Sequence, residues 1–434
     1  MPLDLTATLS DLVALASVNP MGRMTVAPEF CEWRVTEYIE TLLATRFKIP
    51  TYRQPVAPLR DNLLAWVEGD ISPEAGGEVL LFDAHQDTVG VEGMTIPPWT
   101  PTIRDGRLYG RGSCDVKGGL AAMLGALVRT AKDRAATPPD PSRPRPTVVL
   151  GCTVNEEHGF SGAKSLCGFW LPSSIAPPAE SSQTPIPERL AQCLRQPPDA
   201  AIVAEPTQLD IVVAHKGMVR WRCHTFGRAA HSSNPALGDN AIYRMAPVVA
   251  LFARFAREVL PSLGEHPLCG GRTLSVGTIS GGSGVNTVPD HCTIEVDYRL
   301  LPGDDPHAAW RQAIEYIAGA LGGTVPVGAQ QQIAHDEPLM QSLGLSDAMN
   351  GPVAARLSAL VCEAGGIGRR IGVPFGTNGA VISAAGVPTV VFGPGSIEQA
   401  HTAEEWIALD QLPLACDAIF RLMQSGIPSP AHFQ

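Results

Sequence analysis

Two apolar patterns take turns along the first half of the chain. Leu3–Val18 places Leu5, Leu9, Leu12, Val13 and Ala16 at helical spacing, and Asn19-Pro20 ends the run. Pro28–Phe47 repeats that spacing with Phe30, Trp33, Tyr38, Ile39, Leu42 and Leu43. Continuous apolar runs at Asn62–Val67, Val79–Ala84, Val148–Val154 and Ala200–Ala204 predict buried strands. Leu120–Ala131, rich in Ala, Leu and Met, predicts a helix between the second and third of these. Strands alternating with helices predict an α/β fold with a mixed, mostly parallel sheet flanked by helices. In such sheets, ligand sites lie beyond the C-terminal ends of the strands.

The pattern changes near His215-Lys216-Gly217. Val219–Phe226, Thr273–Ile279, Cys292–Leu300 and Thr324–Ile333 predict strands, and Asp239–Val259 and Pro306–Leu321 predict helices. That β-α-β-β-α-β order predicts a ferredoxin-like α+β unit. Helix–strand alternation resumes at Pro352–Ala364, Gly379–Ala385 and Thr389–Phe392, and Ala403–Met423 predicts a closing helix. The ferredoxin-like unit is thus expected as an insertion. Residues 1–215 and 334–434 would form one discontinuous domain, and 216–333 the other. Ala135–Pro146 reads as a Pro-rich linker, and Pro172–Pro187, rich in Pro, Ser and Glu, as an exposed insertion.

Composition narrows the function classes. The chain has 434 residues and a net charge of -11, without a basic run, which argues against a nucleic-acid partner. No apolar stretch approaches the ~20 residues of a membrane helix. Asp4 and Asp11 interrupt the N-terminal helix, and no basic n-region precedes it, so the expected compartment is cytoplasmic. Ten cysteines, with no C-x-x-C pair, are expected to be reduced rather than to staple an exported protein.

The chemistry sits where the predicted strands end. His85 and Asp87, two apart, point the same way, so the carboxylate can fix the tautomer of the imidazole. Asp115 lies in a Gly-rich turn entering a helix, and Glu156-Glu157 and Glu205 each follow a strand. His401 follows Gly393-Pro394-Gly395. Two histidines with carboxylates and no thiolate suit a catalytic metal site more than a structural one. The set exceeds what one metal needs and fits two metals sharing a carboxylate. Adjacent side chains at a strand end diverge, so one glutamate can bind metal while its neighbour faces a substrate water.

Seven motifs, in order and spanning nearly the whole chain, carry a resemblance. They are His85-Gln86-Asp87-Thr88-Val89, Gly110–Gly119 around Asp115, Asn155-Glu156-Glu157, Ala204-Glu205-Pro206-Thr207, Ala230-His231-Ser232-Ser233, Asn286-Thr287-Val288-Pro289 and Ala400-His401-Thr402. The chain resembles the dinuclear zinc hydrolases that include acetylornithine deacetylase, succinyl-diaminopimelate desuccinylase, aminoacylase and glutamate carboxypeptidase. The resemblance implies that His85 and Glu205 bind one Zn2+, Glu157 and His401 the other, and that Asp115 bridges them, with Co2+ as a substitute. It implies Asp87 orienting His85, Glu156 as general base, and a cis peptide at Asp115-Val116. It makes the inserted unit a lid or dimerisation domain. His231 would polarise the scissile carbonyl in a partner's site of a homodimer, and Asn286 and Arg299 would hold a substrate carboxylate.

The expected reaction is zinc-dependent hydrolysis of an amide in an N-acyl amino acid, with N-acetyl favoured because Arg272–Ile279 through Pro289-Asp290 resembles the acetylornithine deacetylase branch. A desuccinylase, or a dipeptidase or carboxypeptidase, would use the same groups. An inactive dimeric binding homologue is the reading of another class, and the intact ligand set and Glu156 argue against it. One stretch departs from the family pattern. Where relatives carry Thr/Ser-Asp-(Gly/Ala)-Arg, this chain has Thr377-Asn378-Gly379-Ala380, so specificity does not carry over from them.

Overall fold

The computed structural model describes residues 2–23, 27, 29–171, 185–322 and 332–427. Most of the Pro172–Pro187 stretch and of the Thr324–Ile333 run lies outside the described residues. The chain divides into two compact units. One comprises Met1–Val213, Asp347–Ile371 and Thr377–Gln434, and the other Ala214–Ser346 and Gly372–Gly376.

The first unit is built on an eight-stranded sheet. Its order is Thr51–Ala57, Arg60–Val67, Thr147–Thr153, Val79–His85, Ala200–Val203, Thr389–Val391, Ile211–His215, Arg370–Val373. The four central strands, from Thr147–Thr153 to Thr389–Val391, pair in parallel. Antiparallel pairs lie on either side of them. Val79–His85 and Thr147–Thr153 are buried at every position, which explains their continuous apolar runs. The helix Gly118–Ala136 is buried from Gly118 through Val128, as its small residues allow close approach. A Cβ on Gly119 would come 2.9 Å from the Ala204 Cβ, at the end of a central strand.

Two boundaries differ from expectation for identifiable reasons. The closing helix spans Gln411–Ser425, not Ala403–Met423. Its expected first turns are instead a strand, Trp406–Ala408, paired with Arg107–Tyr109. The second helix begins at Trp33 and passes into a π-helical turn, Thr41–Arg46. The strands Thr51–Ala57, Ile211–His215 and Arg370–Val373 have no counterpart among the expected elements.

The second unit carries a sheet ordered Thr273–Gly281, His291–Leu300, Gly217–Phe226, Ile333–His335, with Met340–Ser342 also on Gly217–Phe226. All its pairings are antiparallel. Along His291–Leu300, Cys292, Ile294, Val296, Tyr298 and Leu300 are buried and alternate with more exposed residues, the period of two that a one-sided sheet requires. These residues share a core with Phe252 of the helix Ala241–Arg254 and Trp310 of the helix Pro306–Ala320. Asn240 caps the first helix through the Ile242 and Tyr243 N–H groups, and Asp305 caps the second through Ala308 N–H.

Candidate active site

Each of the four central parallel strands delivers a segment to one end of the first unit's sheet. His85 ends its strand, and the segments after Thr153, Val203 and Val391 carry Glu156-Glu157, Glu205 and His401. Asp115 arrives from Ser113–Lys117, just before the helix Gly118–Ala136, and the Asp115-Val116 peptide is cis. Two groups of metal-competent atoms result: His85, Asp115 and Glu205, and Asp115, Glu157 and His401. Within each group the ligand atoms lie within 4.8 Å of one another. His85 Nε2 is 3.1 Å from Asp115 Oδ1. His401 Nε2 is 3.2 Å from Asp115 Oδ2 and 3.3 Å from Glu157 Oε1. One carboxylate thus turns one oxygen to each histidine.

The electrostatics follow from burial. Burial pushes the Glu156 and Glu205 carboxyls well above the usual range, and the neighbouring carboxylates add to it. Asp115 goes the other way. Burial opposes its ionisation, but hydrogen bonds from His401 and His85 hold it below the usual range. His401 is pushed up to about 11 by its contacts with Asp115 and Glu157. Among the described residues, no lysine or arginine forms an ion pair with Asp115, Glu156, Glu157 or Glu205. Four carboxylates gathered without a basic side chain, and two imidazole nitrogens aimed among them, fit divalent cations with oxygen and nitrogen donors. Cys114 stays out of both groups and donates to Ser396 O at 3.2 Å.

Asp87 acts on His85 by a different route from the expected one. His85 Nδ1 meets the Asp87 main-chain oxygen at 2.9 Å, and the carboxylate stands 3.7 Å away. The carboxylate instead accepts Glu156 N–H and Glu157 N–H, each at 3.1 Å, and Asn19 Nδ2 at 2.7 Å. Lys117 is also buried, pushed down to about 7 by burial, and donates to Leu15 O at 2.7 Å.

His231 and Asn286 meet within the second unit. Ala230–His231 pairs with Thr287–Val288, and Ser232 N–H donates to Asn286 O at 3.0 Å. The His231 ring is exposed, and Ser233 N–H donates to its Nδ1 at 3.2 Å. A nitrogen that accepts carries no proton, so the neutral ring holds its proton on Nε2. Arg299 stands apart on His291–Leu300, its Nε 2.8 Å from Asp297 Oδ1, and Asp297 also takes Arg220 Nε at 2.7 Å.

A family model described as peptidase family M20/M25/M40 matches residues 81–425. The chain belongs to this family. As a member of M20/M25/M40 it is a hydrolase of the metallopeptidase and amidohydrolase kind, acting on amide bonds. Its relatives include an acetylornithine deacetylase from Myxococcus xanthus, 29% identical over 363 residues and covering 82% of each chain. One from Edwardsiella ictaluri is 30% identical over 367 residues, also covering 82% of each. The fold matches the M20 metallo-carboxypeptidase Sso-CP2 from Sulfolobus solfataricus, with a TM-score of 0.71, 15% identity, and 98% and 99% of the two chains covered. It also matches aminopeptidase PepT from Bacillus cereus, with a TM-score of 0.66, 22% identity, and 96% and 98% covered.

Beside the M20 motifs stand residues that sequence patterning does not mark. Glu405 is fully buried and accepts Arg111 Nη1 at 2.7 Å. It also takes Gly112 N–H at 2.9 Å, Cys114 N–H at 2.9 Å and Asp115 N–H at 3.0 Å. It holds the turn that presents Asp115. Its position four residues after His401 is the only sequence signal it offers. The departing residue Asn378 is buried too. Its Nδ2 donates to Asp83 Oδ2 and Thr153 Oγ1, each at 3.0 Å, on the strands that lead to His85 and Glu156.

Proposed function

We propose that this chain hydrolyses the amide of an N-acyl amino acid, an N-acetyl amino acid of the acetylornithine type foremost. The observation that carries the reading is the pair of ligand groups sharing Asp115, with Glu156 on the turn that also bears Glu157. The acetyl preference is supported by the relatives named acetylornithine deacetylase. His85 and Glu205 would hold one divalent ion, Glu157 and His401 the other, and Asp115 both. Zinc suits the donor set, and cobalt would substitute. When bound, the ions would supply the charge that polarises the amide carbonyl and acidifies water.

The chain's own groups account for the proton movements. Glu156 takes the proton of the attacking water and passes it to the amine nitrogen as the C–N bond breaks. A carboxyl buried among carboxylates is suited to both halves of that transfer, since its affinity for a proton is raised. His231 donates from Nε2 to the carbonyl oxygen as charge develops there. Asn286 and Arg299 hold the substrate's carboxylate, Arg299 by exchanging Asp297 for it. A homodimer through the second unit is the proposed assembly. It is supported by exposed Leu237, Ile242, Tyr243, Ile279 and Val285, and by the edge strand Thr273–Gly281. A strict monomer by solution mass would remove His231 from action across a dimer. No helix among the described residues is long and apolar enough to cross a membrane.

A desuccinylase, or a dipeptidase or carboxypeptidase, is the second reading, kept because the departure at Asn378 and Ala380 stops specificity from carrying over from relatives. Hydrolysis of acetyl, succinyl and peptidyl substrates side by side, with zinc and with cobalt, separates the readings. Glu156→Gln should retain metal and lose roughly 10²–10⁴-fold in kcat. An active Glu156→Gln enzyme would end its role as base. No turnover of any of these substrates by metal-loaded protein would favour the binding homologue.

A further inference from the structure

The turn bearing Glu156 and Glu157 is fastened from behind. Asn155 opens it with left-handed backbone, φ 62°. Its N–H donates to Glu32 Oε1 at 3.1 Å. Its side-chain oxygen accepts Arg60 Nη1 at 2.9 Å and Asn19 Nδ2 at 3.0 Å, and its Nδ2 donates to Ser161 Oγ at 2.9 Å. Arg60 is itself clamped, with Nε and Nη2 on Glu32 Oε2 and Oε1 at 2.9 and 2.5 Å. Glu32 is fully buried and Arg60 is 8% exposed. Neither forms a hydrogen bond or ion pair with a candidate ligand or with the Glu156 side chain.

Burying such a pair costs desolvation of both charges, and an apolar pair of similar volume often serves stability as well or better. What an apolar pair could not do is hold Asn155. The fork fixes Arg60, and Arg60 with Glu32 then grips Asn155 by its side chain and its main chain. Asp87 holds the next two N–H groups. We propose that Glu32 and Arg60 are positioning residues that act through Asn155 to aim Glu157 at its metal and Glu156 at its water. The proposal rests on the ligand and base roles given above. A site of this kind tolerates only about 0.5 Å or 10–20° of misplacement. A tilt at Asn155 would carry Glu157 Oε1 away from His401, 3.3 Å distant. His85, Asp115 and Glu205 come from other segments and would stay.

The test is zinc affinity of the metal-free protein, read by competition with a chromophoric chelator, beside steady-state kinetics. Arg60→Lys keeps the charge and loses the fork. One of the two zinc-binding steps should weaken roughly 10–100-fold, and kcat should fall more than KM changes. In a His401→Ala background, where the Glu157 group is already broken, adding Arg60→Lys should leave the remaining zinc affinity nearly unchanged. Arg53→Lys, on the neighbouring strand and paired with Glu40 at the surface, should match wild type. Wild-type affinity in both steps would overturn the proposal, as would equal weakening of both with a lowered Tm. If Arg60→Lys does not fold at the assay temperature, Asn155→Gly decides. Glycine takes the left-handed turn freely but offers no carboxamide. The same selective weakening supports the proposal, and two unchanged steps end it. The base role fails separately, through an active Glu156→Gln enzyme.

Discussion

Three equally buried histidines behave in opposite ways in the two units. In the first, His85 is held well above the ordinary imidazole range. Burial pulls it down, but the Asp115 hydrogen bond and the charges of Glu156, Asp115 and Asp87 outweigh that. In the second, His335, and His215 at the end of the strand Ile211–His215 that runs from the first unit into it, are pushed down to about 4, chiefly by burial. His335 meets Trp221 Nε1 at 3.3 Å and an edge of the Phe252 ring, a packing role. Burial alone makes a histidine neutral filling. A surrounding set of carboxylates makes it a group that can exchange a proton for a metal ion.

The sharpest way to break this contrast is to remove the metal. Dialysis against a chelator should abolish hydrolysis, and zinc should restore it. His335→Gln should leave the zinc stoichiometry untouched, whereas His85→Ala should lower it. Full activity in metal-free protein would put both units on the same footing. Next in size, Glu405→Ala leaves Arg111 and three N–H groups without their acceptor. It should cost about 3–5 kcal/mol in urea unfolding, the range for breaking a buried ion pair. A loss under about 1 kcal/mol would show that water replaces the carboxylate there.

Acid should single out the second unit. Above pH 6.5, His215 and His335 are neutral both folded and unfolded. As pH falls from there towards 4, the unfolded chain takes up protons that the folded chain refuses, so stability is lost over that window. The loss is at most about 3 kcal/mol per histidine. Proton resonances of His215 and His335 that titrate near 6.5 would contradict it. The smallest effect is expected from Asn378→Asp, which sets a carboxylate against Asp83, itself pushed up to about 6 by burial. It should destabilise by about 1–3 kcal/mol, more at pH 8 than at pH 5. Equal cost at both values would mean that the pair shares no charge.

The candidate ligands are legible in sequence because each sits where an apolar run stops. His85, Glu157 and Glu205 follow buried strands, so periodicity points at them before any resemblance is considered. His231, Asn286 and Arg299 lie on exposed or half-exposed elements with nothing local to mark them, and only the family motifs single them out. Glu405 is hidden by a misread boundary, because Ala403–Met423 keeps helical spacing while Trp406–Ala408 pairs as a strand. Glu32 and Arg60 are hidden more deeply. A glutamate before Trp33 and an arginine at a hairpin corner look like surface charge, and their meeting across the fold leaves no trace in spacing. The double duty of Asp87 is partly visible. Its place two residues after His85 is plain in the sequence, but it lies past the strand Val79–His85, and its grip on the Glu156-Glu157 turn depends on a segment 69 residues away.

Sequence distance has a consequence for how the centre comes into being. Glu157 and His401 are 244 residues apart, and Arg111 and Glu405 294. The ends of such loops meet late, because long-range contacts reward the chain only after most of it is in place. During translation, His85, Asp115 and Glu205 are all synthesised before His401, but the turn that presents Asp115 is held by Glu405, which is made later still. A chain stalled or clipped ahead of His401 would lack both the second candidate ligand group and the carboxylate that fastens Asp115 of the first. The candidate centre is therefore assembled in a late step, once the segment carrying His401 and Glu405 has joined the strands made before it.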